Sequence, residues 1–463
     1  MKNADWLEYN ADEMVKADKE CLWHHLKPHK VFESQEQMII VEGEGINVKD
    51  IRGREFIDMT SGGVWSVMVG YGRESVAKAV YDQLVKMPYF AGVFGNVPAI
   101  KFAQKLLEKL PRLDKVYFSN SGSEANEKAF KIVRQASNIV PERKGKYKIL
   151  FRDRDYHGTT IGAMSATGQI QRKQDFGPFV EGFVEVPHCC CYRCPFDKTY
   201  PDCNIDCARA VEDVIAREGA DTIGALIVEP ITAGGGIIPP VKEYYPIVQD
   251  ICKKHDIWLI MDEVVCGFGR TGKFWGHEHY EVDPDIVTMA KGLASSYEPL
   301  SATVVKQHVY DLFLNTTDEA SRLNYFRDIS TYGGCAGPMA AALESTRIIE
   351  EENLLENTVV VGEYMLEKLN ELKDLPIVGD VRGQGLFCGI EFVRDKETKE
   401  PVSEAEMATI MGNVLGQGVI VGRTNSSFDG LNTVMNFAPS LIITKEQVDT
   451  VVAAIRNAIE KGI

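Results

Sequence analysis

Short apolar runs alternate with longer helical stretches through the centre of this chain, between about residues 74 and 332. Near-continuous apolar strands separated by helices predict a mostly parallel sheet covered by helices on both faces. Ligands bind such sheets at the carboxyl ends of the strands, so the residues just after each run are the first candidates for a site. In chain order, the predicted strands are 116–118, 148–151, 225–228, 257–261 and 286–289.

The two ends of the chain have a different pattern from the centre. A chain of 463 residues exceeds the usual size of a single core, so we expect two domains. Short strands are predicted in residues 1–73, and residues 336–463 combine helices and strands. We therefore predict an α/β fold in which residues 74–335 form the large domain. Residues 336–463 would form a second, α+β domain.

Composition excludes some classes of partner. The formal net charge of −16 argues against binding to nucleic acid or to an anionic membrane surface. Residues 1–20 are polar and lack the apolar core of a secretory signal, and no apolar run approaches the roughly 20 residues that span a bilayer. We expect a cytoplasmic protein that acts on small molecules.

Two residues at neighbouring strand ends indicate the chemistry. The run 257–261 leads into Asp262, and the run 286–289 is followed by Lys291. A lysine amine forms a Schiff base with an aldehyde, and a carboxylate keeps a pyridine nitrogen protonated so that the ring accepts electrons. The pair indicates pyridoxal 5'-phosphate (PLP). Without Asp262, the alternative interpretation of Lys291 would be a solvated loop residue.

Three other strand ends carry residues that suit the same cofactor. Ser121 and Glu124 have the spacing of a capped helix start, which would offer N–H groups to a phosphate. Tyr156 precedes His157 and Gly158, and its ring could stack on a pyridine ring. Glu229 ends the run 225–228 and suggests support for the site. The alternatives are an ordinary capped helix, a buried loop tyrosine and a surface carboxylate.

Seven motifs that carry these residues occur together along almost the whole chain. They are 121–126 (SGSEAN), 156–158 (YHG), 229–230 (EP), 262–264 (DEV), 267–272 (GFGRTG), 290–292 (AKG) and 331–334 (TYGG).

In this combination the chain resembles the class III aminotransferases, which are PLP-dependent enzymes of fold type I. The resemblance implies that residues 1–73 and 336–463 build one smaller α+β domain from both termini. The resemblance implies that Lys291 forms the Schiff base with the cofactor and later moves a proton on the substrate. It also implies that Asp262 pairs with the pyridine nitrogen and that Val264 and Tyr156 enclose the ring. Glu229 resembles supporting residues near the cofactor.

The same resemblance implies a shared active site. Gly122 and Ser123 would bind the phosphate together with Thr331 from a neighbouring subunit, which makes the protein a homodimer or a dimer of dimers. After Thr331 the chain reads Gly333-Gly334-Cys335-Ala336-Gly337-Pro338, which departs from the usual family run, so the register of this loop is open.

The segment after Glu229-Pro230 bears on the substrate. Family members that act on ornithine or 4-aminobutyrate commonly carry a glutamate shortly after this pair, whereas residues 231–236 read ITAGGG. The chain instead resembles the ω-amino acid:pyruvate branch and, within it, the taurine–pyruvate aminotransferases. That resemblance rests on residues 23–26 (WHHL), 29–33 (HKVFE), 61–65 (SGGVW) and 69–73 (VGYGR).

Four residues are candidates for substrate binding. Arg423 aligns with the carboxylate-binding arginine of this branch, and a guanidinium also suits a sulfonate. Trp65 and Phe94 would line the pocket, and His29 would add a donor. We expect transfer of the amine of taurine to pyruvate, with sulfoacetaldehyde and L-alanine as products. The alternatives are β-alanine or another ω-amino acid or amine as donor, an aminomutase on the same fold, and a surface role for Arg423.

Six of the eleven cysteines crowd between Cys189 and Cys207. Cys191 and Cys194 form a Cys-x-x-Cys pair, but no second pair of that spacing completes a typical zinc site. We expect buried thiols and no metal in this segment. A metal-binding or redox protein that uses this cluster is the distant alternative.

Overall fold

The computed structural model describes residues 8–314 and 319–462. The predicted domain ranges start at residue 1 and end at residue 463, and residues 1–7 and 463 lie outside the described part. Fifteen strands occur within it. They are β1 (Ile40–Glu44), β2 (Asn47–Asp50), β3 (Glu55–Asp58), β4 (Lys115–Ser119), β5 (Lys148–Arg152), β6 (Phe183–Val186), β7 (Ile223–Val228), β8 (Trp258–Asp262), β9 (Ile286–Met289), β10 (Ser301–Val305), β11 (Val378–Gln384), β12 (Phe387–Phe392), β13 (Val419–Ile420), β14 (Gly422–Arg423) and β15 (Val434–Phe437).

The α-helices of the described chain mostly follow the strands of the central region and then dominate the C-terminal part. They are α1 (Ala11–Cys21), α2 (His29–Ser34), α3 (Glu74–Lys86), α4 (Val97–Lys109), α5 (Gly122–Ile139), α6 (Ile161–Ser165), α7 (Ile170–Lys173), α8 (Asp206–Glu218), α9 (Tyr244–Lys254), α10 (Gln307–Asp311), α11 (Ala336–Glu351), α12 (Leu354–Asn370), α13 (Glu404–Leu415) and α14 (Lys445–Glu460).

The central sheet has seven strands in the order β4-β10-β9-β8-β7-β5-β6. β10 is antiparallel to both of its neighbours, and the pairs from β9 to β6 are parallel. The predicted mostly parallel sheet is therefore confirmed, together with its five predicted strands. β6 and β10 were not among them. β6 has only four residues, and β10, with five, supplies the single antiparallel insertion.

The two chain ends meet in the smaller sheets. β13, from the C-terminal region, pairs in parallel with β3 near the N-terminus, with Val419 opposite Ile57. A second small sheet has the order β11-β12-β15-β14. The predicted α+β unit built from both termini is present. Because α11 packs against α3 and α4 of the central region, the boundary at residues 335 and 336 stays a prediction.

Arg270 joins these parts from the GFGRTG segment. Its side chain is completely buried and donates to the carbonyl oxygens of Leu386 (3.2 Å) and Pro439, and to Ser61 Oγ (3.3 Å). Burial lowers the pKa of Arg270 to about 9. One side chain of the large domain thus fixes the N-terminal turn Ser61–Trp65 and two C-terminal loops. No helix among the described residues has the length and apolar character needed to cross a membrane.

Candidate active site

The ends of β8 and β9 bring Asp262 and Lys291 to the same edge of the sheet. β8 and β9 are parallel neighbours in which Asp262 lies opposite Thr288. Lys291 begins a short 3-10 turn just beyond β9. The acid and the amine that the sequence singled out therefore share one site, at the carboxyl edge where ligands bind to such sheets.

Asp262 is held by three hydrogen bonds and is almost completely buried. Its Oδ2 accepts from Asn126 Nδ2 and from His157 Nδ1, each at 2.8 Å. Its Oδ1 accepts from the backbone N–H of Val264 at 3.0 Å. Donors on both oxygens fix the orientation of the carboxylate.

Lys291 lies in a desolvated environment beside two acids. Burial lowers the pKa of its amine, while the charges of Asp262 and Glu229 act in the opposite direction without cancelling the effect. Its Nζ lies 5.9 Å from the centre of the Trp65 ring. More of this amine is unprotonated at neutral pH than in an exposed lysine, and the unprotonated form is the nucleophile.

The N-terminus of α5 lies at the same edge. Ser121 caps the helix, because its Oγ accepts from the backbone N–H of Glu124 at 3.2 Å. A Cβ added at Gly122 would lie 3.0 Å from both methyl carbons of Val264. The helix terminus therefore meets the segment that follows Asp262, with small residues and backbone N–H groups suited to an anion.

The loop after β5 closes onto this helix terminus. The backbone N–H of Thr159 donates to Ser123 Oγ at 3.0 Å. Gly158 has a φ of +142°, and a Cβ there would overlap Ser123 Oγ. Only glycine permits this approach without strain. The approach brings Tyr156 to the terminus of α5.

Glu229 follows the end of β7 and stabilises the loop after β5 that carries Tyr156. Its Oε1 accepts from the backbone N–H of Tyr156 at 3.3 Å, and its Oε2 accepts from that of Ala233. Burial raises the pKa of Glu229 well above its ordinary value, and the charges of Asp155 and Asp262 raise it further. Glu229 thus positions the backbone of the tyrosine loop.

Trp65 reaches the site from the N-terminal region. It ends the turn Ser61–Trp65, and its Nε1 donates to Asn436 Oδ1 in β15 at 3.2 Å. Asn436 lies opposite Gly422 in β14, next to Arg423. A wall of the site is therefore shared by the two chain ends.

Residues 31–459 match the sequence model of the family described as "Aminotransferase class-III". The chain is a class III aminotransferase. Known relatives agree over nearly the full length. It is 50% identical to a hypotaurine/taurine–pyruvate aminotransferase of Paracoccus denitrificans, covering 98% of this chain and 99% of the relative. It is 51% identical to a taurine–pyruvate aminotransferase of Bilophila wadsworthia, covering 98% of each chain.

Solved structures show the same fold for this class III aminotransferase. A Bacillus anthracis aminotransferase superposes with a TM-score of 0.93 at 42% identity, covering 97% of this chain and 98% of that one. An omega transaminase from Pseudomonas jessenii in complex with PMP gives a TM-score of 0.91 at 31% identity, with coverage of 97% and 98%. The predicted family and fold are confirmed.

Most of the cofactor-binding candidates of this aminotransferase lie around Lys291, but three candidates lie elsewhere on the surface. Phe94 is 63% exposed and lines a cavity of about 320 Å³ with Ser330. Thr331 is exposed and follows Ser330, whose Oγ accepts from Asn120 Nδ2 at 3.2 Å. His29 is exposed at the start of α2, edge-on to Trp23 at 5.3 Å. Their roles stay predictions.

Arg423 lies near the site in the fold, but its side chain is engaged. Its Nη2 forms an ion pair with Glu404 Oε2 at 2.5 Å, and its Nε donates to the carbonyl oxygen of Thr424 at 3.3 Å. The Glu404 carboxylate is largely exposed. A substrate acid would have to replace Glu404 to use this guanidinium.

The sequence did not predict the roles of two residues at the site. Asn126 and His157 both hold Asp262, and Asn126 Nδ2 also donates to the carbonyl oxygen of His157 at 2.7 Å. Each belongs to one of the seven motifs, but the prediction from that motif concerned its other residues. Their polar side chains next to predicted cofactor contacts were the available signal.

The prediction of buried thiols holds for two of the six clustered cysteines, Cys189 and Cys190. It is wrong for Cys191, which is exposed, and for Cys194, Cys203 and Cys207, which are partly buried. All eleven cysteines are free. Burial raises the thiol pKa to about 12 at Cys189 and to about 11 at Cys191 and Cys207. Among the described residues no three histidine, cysteine or acidic side chains are grouped as metal ligands.

Proposed function

We propose that this class III aminotransferase uses PLP to transfer the amine of taurine (2-aminoethanesulfonate) to pyruvate in a ping-pong cycle. The products are sulfoacetaldehyde and L-alanine. The observation that carries the proposal is the 50–51% identity, over nearly the whole length, to relatives named for this reaction. Lys291 beside Asp262 supports the transfer chemistry independently of those names.

β-Alanine or another ω-amino acid or amine is the second candidate donor. The similarity to an omega transaminase, with a TM-score of 0.91, favours this broader range of donors. In taurine and in β-alanine two carbons separate the amine from the acid group. The acid group is a tetrahedral sulfonate in taurine and a planar carboxylate in β-alanine. The groups that contact the acid would therefore decide between them.

PLP fits the residues present at the carboxyl edge of the sheet. The side chain of a larger residue at Gly122 would crowd Val264 and fill the space by the α5 terminus. Gly122 and Ser123 would hold the phosphate there, with Thr331 of a second copy. Asp262 would pair with the pyridine nitrogen, while Val264 and Tyr156 pack on the ring.

PLP, when bound, supplies a ring that accepts electrons from the substrate carbon next to the amine. The protein contributes the rest. Asn126 and His157 hold Asp262 in one orientation, so that its charge is kept at the ring nitrogen. Lys291 would anchor the cofactor and, once released, take the proton from the amine-bearing carbon. Its lowered pKa leaves more of the amine unprotonated and able to act as a base.

Substrate binding is proposed for the wall that faces Lys291. The Trp65 ring lies 5.9 Å from Lys291 Nζ and would bound the pocket. Arg423 would bind the carboxylate of pyruvate or the sulfonate of taurine after exchanging its bond to Glu404. Phe94 and His29 are exposed, so they would reach a pocket only when another copy or a moved segment completes it.

A donor panel with pyruvate as acceptor tests the substrate. We expect kcat/KM to rank taurine first, β-alanine and hypotaurine next, and 4-aminobutyrate and putrescine last. The reason is that residues 231–236 lack the glutamate that family members acting on 4-aminobutyrate commonly carry there. Arg423→Ala should raise the KM of taurine about tenfold, the usual effect of losing a charge-assisted hydrogen bond.

Arg456→Ala is the matched control, since it removes an arginine that is ion-paired with Asp374 far along the C-terminal region. It should leave the KM of taurine unchanged. A clear preference for putrescine or 4-aminobutyrate would contradict the donor assignment. An unchanged KM of taurine in Arg423→Ala would not affect the assignment of taurine as the donor, but it would show that Arg423 does not bind the sulfonate.

We also propose a homodimer, or a dimer of dimers, with shared active sites. Support comes from the exposed apolar side chains around the cavity that Phe94 lines. Val93 is 75% exposed, Val97 62%, Ile329 71% and Tyr332 66%. A contiguous apolar surface of this kind marks a protein interface. It includes the neighbours of Thr331, as the predicted phosphate contact from a second subunit requires.

Mixed dimers test this arrangement. Lys291→Ala and Thr331→Ala damage different sites if Thr331 serves the partner, so refolding an equal mixture should restore one intact site in each mixed dimer. At limiting PLP we expect about a quarter of the wild-type activity from a random mixture. A mixture of Lys291→Ala with Asp262→Asn is the control, because both changes damage a site within one chain and no activity should return. Recovery no greater than that of the separate variants would contradict the shared site.

A cytoplasmic location completes the proposal. Eleven free cysteines favour a reducing compartment, in which thiols persist.

A further inference from the structure

Arg172 lies beside the residues that surround Lys291. It belongs to α7, and its guanidinium carbon lies 5.3 Å from the centre of the Tyr156 ring. Its charge helps to lower the pKa of Lys291 and opposes the rise that burial causes in the pKa of Tyr156. A positive charge therefore stands close to both the proposed base and the proposed ring contact.

Two hydrogen bonds fix the direction of this guanidinium. Arg172 Nε donates to Gln169 Oε1 at 3.1 Å, and its Nη2 donates to the carbonyl oxygen of Asn425 at 2.9 Å. Gln169 is completely buried, and its Oε1 also accepts from Ser427 Oγ at 3.0 Å. The anchor is rigid, and it leaves further N–H groups of the fork available to a ligand.

Arg172 differs in its charge balance from Arg152 and Arg423. Arg152 is paired with Asp155 at 3.0 Å, and Arg423 with Glu404. Within residues 8–314 and 319–462, the hydrogen bonds of Arg172 go to an amide and a carbonyl oxygen, and it forms no ion pair with a carboxylate. Burial lowers the pKa of Arg172. A partly desolvated cation without an acid is unfavourable, and an anionic ligand offsets that cost.

The two arginines flank the same segment of chain. Arg423 Nε donates to the carbonyl oxygen of Thr424, and Arg172 Nη2 to that of the next residue, Asn425. The large domain thus contributes one cation and the C-terminal region another. No acid among the described residues pairs with Arg172, whereas the charge of Arg423 is already balanced by Glu404.

We propose that Arg172 is the fixed cation that binds the acid group of the amine donor. The proposal rests on the proposed function in taking taurine, and thus a sulfonate, as that donor. A planar guanidinium gives two parallel N–H groups to a carboxylate or a sulfonate. Arg172 thereby selects donors that carry an anionic group, and Arg423 adds a second cation to the same acid group once Glu404 has been displaced.

The test compares acid-bearing and neutral donors in the dimeric, cofactor-loaded enzyme. Arg172→Gln should raise the KM of taurine and of β-alanine about 10- to 100-fold, with kcat changed less than about threefold. Ethylamine is taurine without its sulfonate, and its kcat/KM should stay within about threefold of wild type. Arg154→Gln is the matched control, because Arg154 stacks on Phe428 of the same C-terminal loop at 5.1 Å. It should leave all three donors unchanged.

The outcomes separate this proposal from the choice of donor. If wild type accepts β-alanine but not taurine, the donor assignment fails, while a raised KM of β-alanine in Arg172→Gln still supports the cation. Equal losses with ethylamine and with the acid-bearing donors would show that Arg172 acts through Lys291 or the loop, and would overturn the proposal. An unchanged KM of the acid-bearing donors, or equal losses in Arg154→Gln, would also overturn it.

Discussion

Lys291→Ala is expected to lower turnover by about 10⁴-fold or more, since it removes both a covalent anchor and a general base. The amine lies at the edge of the sheet beside Asp262, and burial lowers its pKa. Alanine retains neither function. The measurement is the rate of alanine formation from taurine and pyruvate at saturating PLP.

Two further measurements, of visible absorbance and of Tm, distinguish a loss of chemistry from a loss of folding. The wild-type protein should absorb visible light through the lysine-linked cofactor, and the band should shift when taurine is added. Lys291→Ala should lose the covalent link and keep a Tm close to wild type, because its side chain is removed from a site rather than from the core. Lys396→Ala is the control, since Lys396 contacts only the carbonyl oxygen of Lys373 on the surface. Turnover by Lys291→Ala at near wild-type rate would refute the mechanism.

The large sheet could be predicted because its strands are buried on both faces. β7 and β8 are buried at every position, so their sequences are continuous apolar runs. β6 has two partly buried residues and one exposed one, and its pattern is therefore weaker. Strand order was also beyond the sequence, since the antiparallel insertion of β10 between β4 and β9 depends on contacts between distant residues.

The candidate site was predictable where one residue type has a distinctive chemistry. Lys291 and Asp262 follow neighbouring strands, and parallel pairing brings their ends together. The roles of Asn126 and Arg172 depend on side chains from separate elements that meet only in the fold. Neither residue type, at its own position in the chain, distinguishes a buried contact from a solvated one.

The small sheets show a similar limit. β13 is two residues long and pairs with β3 across the length of the chain. No local pattern specifies such a pairing. The expectation that both termini form one unit came from family resemblance, and the structure supplies the pairing that explains it. Contacts with a second subunit likewise cannot be read from one chain, so Thr331 and Phe94 remain predictions.

Asp262→Asn is expected to lower kcat by roughly 10²–10³-fold, the usual effect of removing a charge that stabilises developing charge in a buried site. Asparagine has nearly the same shape, but it is neutral. It cannot hold the ring nitrogen protonated, and its amide has one acceptor oxygen where the carboxylate has two. Its NH2 group therefore faces either the N–H of Val264 or the donors of Asn126 and His157.

A purely structural role for Asp262 predicts a different result. In that case the variant would bind PLP weakly and would recover when PLP is raised to saturation. If Asp262 acts on the ring, kcat stays low at saturating PLP while the protein remains folded. Asp374→Asn, which alters an exposed carboxylate paired with Arg456, should keep the wild-type kcat. A kcat in Asp262→Asn above about a tenth of wild type at saturating PLP would contradict a catalytic charge at this position.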